Sequence, residues 1–151
     1  MNKIVHVTTA LDCTPAQAWA MFTDVEHAKA WLAPKMTIGI EVGGAYELAF
    51  DGTPDNIQRG TIAALTPYKL LAFTWQAPPR SAWAFINDAR PLTLVTIRLW
   101  AEDGLTFFDL LHTGWLSSAD WQAARRYYQV YWEAALLRLV MAIGAMRLQA
   151  R

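Results

Sequence analysis

"RRYYQVYWEAALLRL", residues 125–139, places four large aromatics within six positions and runs straight on into leucine. At about 100° per residue, Trp121, Ala124, Tyr127, Tyr128, Tyr131, Trp132, Ala135, Leu136, Leu139, Ile143 and Met146 fall on one arc of roughly 140°. Gln122, Arg126, Gln129, Glu133 and Arg147 lie on the other side. The spacing predicts a helix with all four rings turned inward, and leaves two readings for each ring: ordinary core, or the wall of a gap that rigid rings do not fill. Ser117 or Ser118 is the expected cap. With no proline from there to the end, the helix runs about thirty residues, near 45 Å. Gly144 is its only breaker.

Upstream the period is that of strands. Residues 3–11, "KIVHVTTAL", alternate, and "DCTPAQAWAMF" then starts a helix with Thr14 as cap, Pro15 in the first turn and Gln17 completing a capping box. Ala18, Trp19 and Phe22 give this helix an apolar face. Asp24 recaps the chain, and "VEHAKAWLAP" makes a second short helix that Pro34 stops. "KMTIGIEV" and "AYELAFDG" alternate on either side of Gly43-Gly44 and predict a hairpin. "QRGTIAAL", "LLAFTWQ", "LTLVTIRLWAE" and "LTFFDLLHT" are further strands, the last two joined by a turn at Asp103-Gly104. Residues 77–91, "APPRSAWAFINDARP", read as a long loop with one helical turn, a kind that often carries function in compact domains. A sheet with one apolar face needs a cover, and only the terminal helix is long enough to supply it. The order predicts an α+β chain: a curved antiparallel sheet of six to seven strands wrapped around a long C-terminal helix, with two short helices after the first strand.

Composition narrows the partners. The 151 residues fit one domain, 1–151, with a core of its own. Thirteen basic and thirteen acidic residues cancel, and Arg125-Arg126 is the longest basic run, so neither a nucleic acid nor an anionic membrane is an expected partner. "MNKIVHVTTALDCTPAQ" lacks the apolar stretch of a signal peptide, and "LVMAIGAM" is far short of a membrane span, which reads as a soluble cytoplasmic protein. The single cysteine, Cys13, excludes an internal disulfide and a cysteine-based metal cluster. Eight tryptophans are unusual for this length, and each buries a large area while keeping one polar handle.

"TPAQAWAMFTDVEHAKAWLAP", the Gly43-Gly44 pair followed by an aromatic, "GTIAALTPYKLLAFTW" and "LTFFDLLHTGW" resemble, in this order and over nearly the whole chain, the successive motifs of one family. It is the AHSA-like branch (activator of heat-shock chaperone ATPase homologues) of the START/Bet v-like, or SRPBCC, superfamily. The resemblance implies a helix-grip fold and a small apolar molecule held between sheet and terminal helix. The chain departs from the family pattern at Trp31-Leu32, where two tryptophans are often adjacent, at Tyr131-Trp132, where Gly-Trp is common, and in the length of the 77–91 loop.

Strand parity names the residues that meet in that gap. Tyr46, Leu48 and Phe50 share a face, as do Leu71, Phe73 and Trp75; Val95, Ile97 and Leu99; and Phe108, Leu110 and His112. Between residues 58 and 65 parity is ambiguous, because Ile62 and Leu65 share a face only across a bulge. The expected ligand contacts are therefore Tyr46, Leu48, Phe73, Trp75, Val95, Phe108, Leu110 and His112 from the sheet. Tyr128, Tyr131 and Trp132 join them from the helix, and Trp31 and Trp83 from its approaches. His112 closes an apolar row. It reads either as a satisfied structural group or as a ligand hook and weak catalytic candidate, since its ordinary pKa suits a base near neutrality. Arg125 sits at the edge of the helical arc; it either runs along the helix to solvent or turns in beside His112, where the pair would favour a carboxylate or phenolate. Asn87 and Trp83 are candidates for an entrance, or are simply part of the loop's own packing.

No phosphate loop, HExxH, nucleophile elbow or metal-spaced histidine pair is present, so no catalytic constellation, metal or cofactor is expected. His6 and His27 read as surface residues, and Asp109 with Arg98 as a cross-strand pair. The expected function is carriage or sensing of a small hydrophobic molecule, aromatic or acyl. The alternatives are an enzyme of the cyclase/aromatase or hydrolase type using the same cavity, and a co-chaperone-like interaction module. On the outer sheet face, Leu94, Trp100, Phe107, Leu111 and Leu70 are too apolar for water, and suggest a homodimer there or cover by the 77–91 loop.

Overall fold

In the computed structural model, which describes residues 3–149, the first alternating segment forms strand β1 (Val5–Leu11). Helix α1 (Pro15–Thr23) opens on the full capping box: the Thr14 hydroxyl accepts from the Gln17 N–H at 3.1 Å, and the Gln17 side chain accepts from the Thr14 N–H at 2.9 Å. Asp24 closes α1 and caps α2 (Val25–Ala28) by accepting from the Glu26 N–H. Helix α2 is shorter than the expected run to Pro34. Past Ala28 the chain breaks into turns that bury Trp31, Leu32 and Ala33, with the Trp31 indole N–H donating to the Met21 carbonyl at 2.7 Å. That tertiary anchor overrides local helix propensity.

Seven strands follow: β2 (Lys35–Ile38), β3 (Tyr46–Ala49), β4 (Ile57–Gln58), β5 (Ile62–Thr66), β6 (Leu70–Trp75), β7 (Thr93–Glu102) and β8 (Leu105–Thr113). The strands form two hydrogen-bonded groups, β1-β8-β7-β6-β5 and β2-β3-β4, all pairs antiparallel. Bridges Ala45–Thr61 and Arg59–Gln76 link the groups. Two glycines explain the division. A Cβ on Gly44 would lie 1.8 Å from the Gly39 oxygen, so the chain doubles back there and β2 stops at Ile38 instead of Val42. A Cβ on Gly60 would lie 2.3 Å from the Thr74 oxygen, where the segment between β4 and β5 crosses β6 closely. A bulge between Ile62 and Ala64 resolves the parity that the sequence leaves open there. Asp103 and Gly104 both have positive φ, the pair a type I′ turn needs to join β7 to β8.

Helix α3 (Ala119–Gln149) is capped by Ser118, whose hydroxyl accepts from the Trp121 N–H at 3.4 Å. It buries Ala124, Tyr128, Trp132, Ala135, Leu136, Leu139 and Ile143. Tyr127 corrects the expectation that all four rings point inward: it is 46% exposed and lies against Trp83, ring centroids 5.2 Å apart. The wheel puts it about 100° from Tyr128, past the edge that the sheet can cover.

The four inward rows are as parity assigns them, with Phe50 only half-buried at its row's end. On the outer face Arg98 forks onto one Asp109 oxygen, Nε at 3.1 Å and Nη2 at 2.5 Å, and His6 of β1 binds the other. Burial works against the Asp109 charge, but the hydrogen bonds from Arg98 and His6 outweigh it and hold the carboxyl below its usual range. His6 is thus half-exposed but engaged. Leu70, Leu94, Phe107 and Leu111 are half-buried, and Trp100, 41% exposed, stacks on Phe107 at 5.6 Å. The 77–91 loop sends its rings to α3: Trp83 to Tyr127, and Phe85 to Trp121.

Candidate functional site

Trp75, at the end of β6, is the hub of the space between sheet and helix. Its ring lies 5.0 Å from Trp132, 5.5 Å from His112, 5.8 Å from Tyr128, 6.0 Å from Tyr131 and 6.2 Å from Phe73. Tyr46 stacks on Phe73 at 4.2 Å. The helix rings therefore meet Trp75 directly, mostly in the tilted or edge-on contacts that aromatic quadrupoles favour. Val95, Leu48, Leu110 and Phe108 are buried in the same core, and Phe108 meets Trp31 edge-on at 6.0 Å.

Within this aromatic cluster His112 has every polar atom matched. Trp132 donates its indole N–H to Nδ1 at 3.1 Å. An indole only donates, so the neutral ring carries its proton on Nε2, which then donates to the Thr93 hydroxyl at 3.0 Å. The Thr93 hydroxyl in turn donates to the Trp75 carbonyl at 3.3 Å, and the Trp115 indole donates to the His112 carbonyl at 2.8 Å. Complete burial lowers the His112 pKa from 6.5 to about 3. A ring held neutral, with both nitrogens engaged, has the geometry of a structural group and not of a base. Thr93 and Trp115 were not among the residues expected here, although parity could have found the first: two positions before Val95, it belongs to the same inward row.

The other end of the cluster is not matched. The Tyr131 hydroxyl and the Trp75 indole N–H are both buried and have no hydrogen-bond partner among the described residues; nor has the side-chain N–H₂ of Gln58, which lies opposite Leu48 on β4. Burial pushes the Tyr128 pKa up, and the nearby Trp75 indole, without hydrogen-bonding alignment, opposes that shift only in part. Burial first, then the neighbouring Tyr128, pushes the Tyr131 pKa up, against a smaller opposing pull from the Arg138 cation. Tyr46 is satisfied, donating to the Phe22 carbonyl at 2.7 Å.

Two of the remaining candidates turn elsewhere. Arg125 donates to Gln122 at 2.8 Å along the helix, and no hydrogen bond joins it to His112 among the described residues. Asn87 fastens the long loop down, donating to the Ala77 carbonyl at 2.9 Å and accepting from the Ala77 N–H at 2.8 Å. Clefts lie at the periphery. One of about 510 Å³ runs between Lys29–Pro34, Phe50 and Arg138, and Arg138 there donates to the Trp31 carbonyl at 2.8 Å. Another of about 440 Å³ separates β1 from the flank of α3. No three His, Cys, Asp or Glu side chains converge as a metal site among the described residues, and no helix among them is long and apolar enough to cross a membrane.

A five-stranded antiparallel sheet gripping a 31-residue helix over an aromatic core defines the helix-grip class. The sequence model of the Activator of Hsp90 ATPase homolog 1-like protein family matches residues 12–144, and the chain belongs to that family. Protein MLL2253 from Mesorhizobium loti shares the fold with a TM-score of 0.78 at 19% identity, over 95% of this chain and 98% of that one. The Aha1 dimer from Colwellia psychrerythraea follows at 0.71 and 19%, covering 94% and 96%. CalU16 from Micromonospora echinospora stands at 0.69 and 21%, covering 97% and 79%. At these identities the likeness carries the fold alone. No curated protein matches the chain in sequence.

Proposed function

We propose that the protein binds a small hydrophobic molecule, aromatic or acyl, between the sheet and α3, as a carrier or sensor. The observation that carries this reading is the pair of buried, unmatched polar groups, the Tyr131 hydroxyl and the Trp75 indole N–H, whose rings lie 6.0 Å apart. Leaving such groups unpaired costs about 1–3 kcal/mol each, and a ligand with one polar atom would recover it. In this reading the cleft beside Lys29, Phe50 and Arg138 is the approach, since its wall includes Trp31, which meets Phe108 of the core edge-on at 6.0 Å. Two cations beside apolar walls suit a carboxylate at the ligand's outer end. In this reading the rings part to admit the ligand and close on one another without it.

Native mass spectrometry of the purified chain, against a denatured extract, tests the proposal, together with thermal shifts by aromatic and acyl carboxylates. A bound molecule, or a shift that Tyr131→Phe diminishes, supports it. A uniformly empty protein whose melting no such compound moves would show the ring cluster to be solid core. The cyclase-like alternative needs a base in the cavity, and the engaged, neutral His112 does not favour it.

A further inference from the structure

The solvent side of α3 is not the polar face that its charged residues suggest. Val130, Ala134, Leu137, Met141, Gly144 and Leu148 follow one another at spacings of four, three, four, three and four, the alternation of a coiled-coil seam. All six are exposed, and the four large ones are between 66% and 73% accessible. This seam lies opposite the arc buried against the sheet, so the protein's own fold has no use for it. Gly144 makes the same point independently. A glycine inside a helix costs about 1 kcal/mol relative to alanine, yet a Cβ here would meet nothing within 4 Å. Nothing among the described residues requires a glycine at that position, whereas a second helix crossing closely there would.

We propose that this seam is the interface between two copies of the chain, with their α3 helices packed antiparallel. The pattern is complementary to itself in that direction. A two-fold axis that sets Leu137 against Met141 of a second copy also sets Val130 against Leu148 and Ala134 against Gly144, so large residues meet large and small meet small. The small layers let the backbones approach, and every layer occurs twice, as an isologous interface demands. The flank agrees in charge. In that register Glu133 comes within about 3 Å, along the axis, of the level of Arg147 on the second copy. Both side chains are on the β1 side of the seam, Glu133 held by Gln129 at 2.9 Å and Arg147 by the exposed Asp12, through its carbonyl at 3.1 Å and its carboxylate at 3.3 Å. On the other flank Arg138, which would otherwise face its own copy, is drawn back to the Trp31 carbonyl. The exposed apolar area of the seam is on the order of 500 Å², at the upper end for a monomer's largest patch, and with its polar flanks it approaches the ~800 Å² per partner of a standard interface.

Sedimentation equilibrium of the full chain from about 1 to 100 µM tests this. The expected result is a reversible dimer that Leu137→Glu weakens about 100-fold while helical circular dichroism is unchanged. Gly144→Leu weakens it similarly but leaves the monomer no less heat-stable, which separates a lost interface from a damaged fold. Glu133→Arg weakens the dimer, and adding Arg147→Glu restores it. A wild-type monomer throughout the range overturns the proposal. So does a dimer that survives Leu137→Glu, or one abolished by Trp100→Glu on the outer sheet face. Failure of the charge swap to rescue overturns the antiparallel register.

Discussion

His112 and Tyr131 both rest against Trp75, at 5.5 and 6.0 Å, the first buried and the second half-buried with its hydroxyl out of water, yet they are opposites in chemistry. Around His112 each donor finds an acceptor, from Trp132 through the imidazole to Thr93 and the Trp75 carbonyl. Around Tyr131 a hydroxyl and an indole N–H find none. A satisfied network rigidifies and specifies a core, whereas unmatched groups in the same dry surroundings carry a cost that only a further partner removes. The contrast separates the scaffold of the ring cluster from the part that has something left to bind.

The largest effect should come from breaking the satisfied end. His112→Ala strands the Trp132 indole, leaves the Thr93 hydroxyl with the Trp75 carbonyl alone and opens a cavity between four rings, so chemical denaturation should show a loss of about 3–5 kcal/mol. Trp132→Phe keeps the imidazole but leaves its Nδ1 unpaired; a loss of about 2 kcal/mol is expected, and an unchanged stability would mean that the network is not coupled. Acid probes the same ring. The folded chain keeps His112 neutral down to about pH 3, whereas the unfolded chain takes up a proton near its ordinary 6.5. Between those values the unfolded state binds more protons, so stability should fall with falling pH by up to about 1.4 kcal/mol per unit. His112→Gln should flatten that slope between pH 6.5 and 5, above the range where Asp109 begins to contribute. Tyr131→Phe should do least: it removes an unmatched hydroxyl, so the unliganded protein should be unchanged or gain up to about 1 kcal/mol. A clear loss instead would erase the contrast, because it would give that hydroxyl a partner.

Much of this architecture is legible along the chain. The capping box at Thr14 and Gln17, the Arg98–Asp109 pair and the inward rows all follow from spacing, because a strand's period of two and a helix's 3.6 leave few choices about which side chains share a face. The ring-to-ring contacts around Trp75 were not legible, since parity assigns a face but not a distance. Tyr127 was misjudged for a related reason: the wheel gives its angle, but how far the sheet reaches around the helix sets whether that angle is covered. The outer seam on α3 is present in the sequence too, hidden by Glu133, Arg138 and Arg147 lying between its members.

The sequence by itself determined the order of elements, the gripping role of α3 and the inward rows of the sheet, because these depend on local periodicity and on which surfaces water rejects. Only the tertiary structure decided which buried polar atoms are matched. Matching depends on where β7, β8 and α3 bring Thr93, His112 and Trp132 together across nineteen and twenty residues of chain, and on none of the described residues offering the Tyr131 hydroxyl a partner. A hydrogen bond needs alignment to within a few tenths of an ångström, and that is a property of packing in three dimensions.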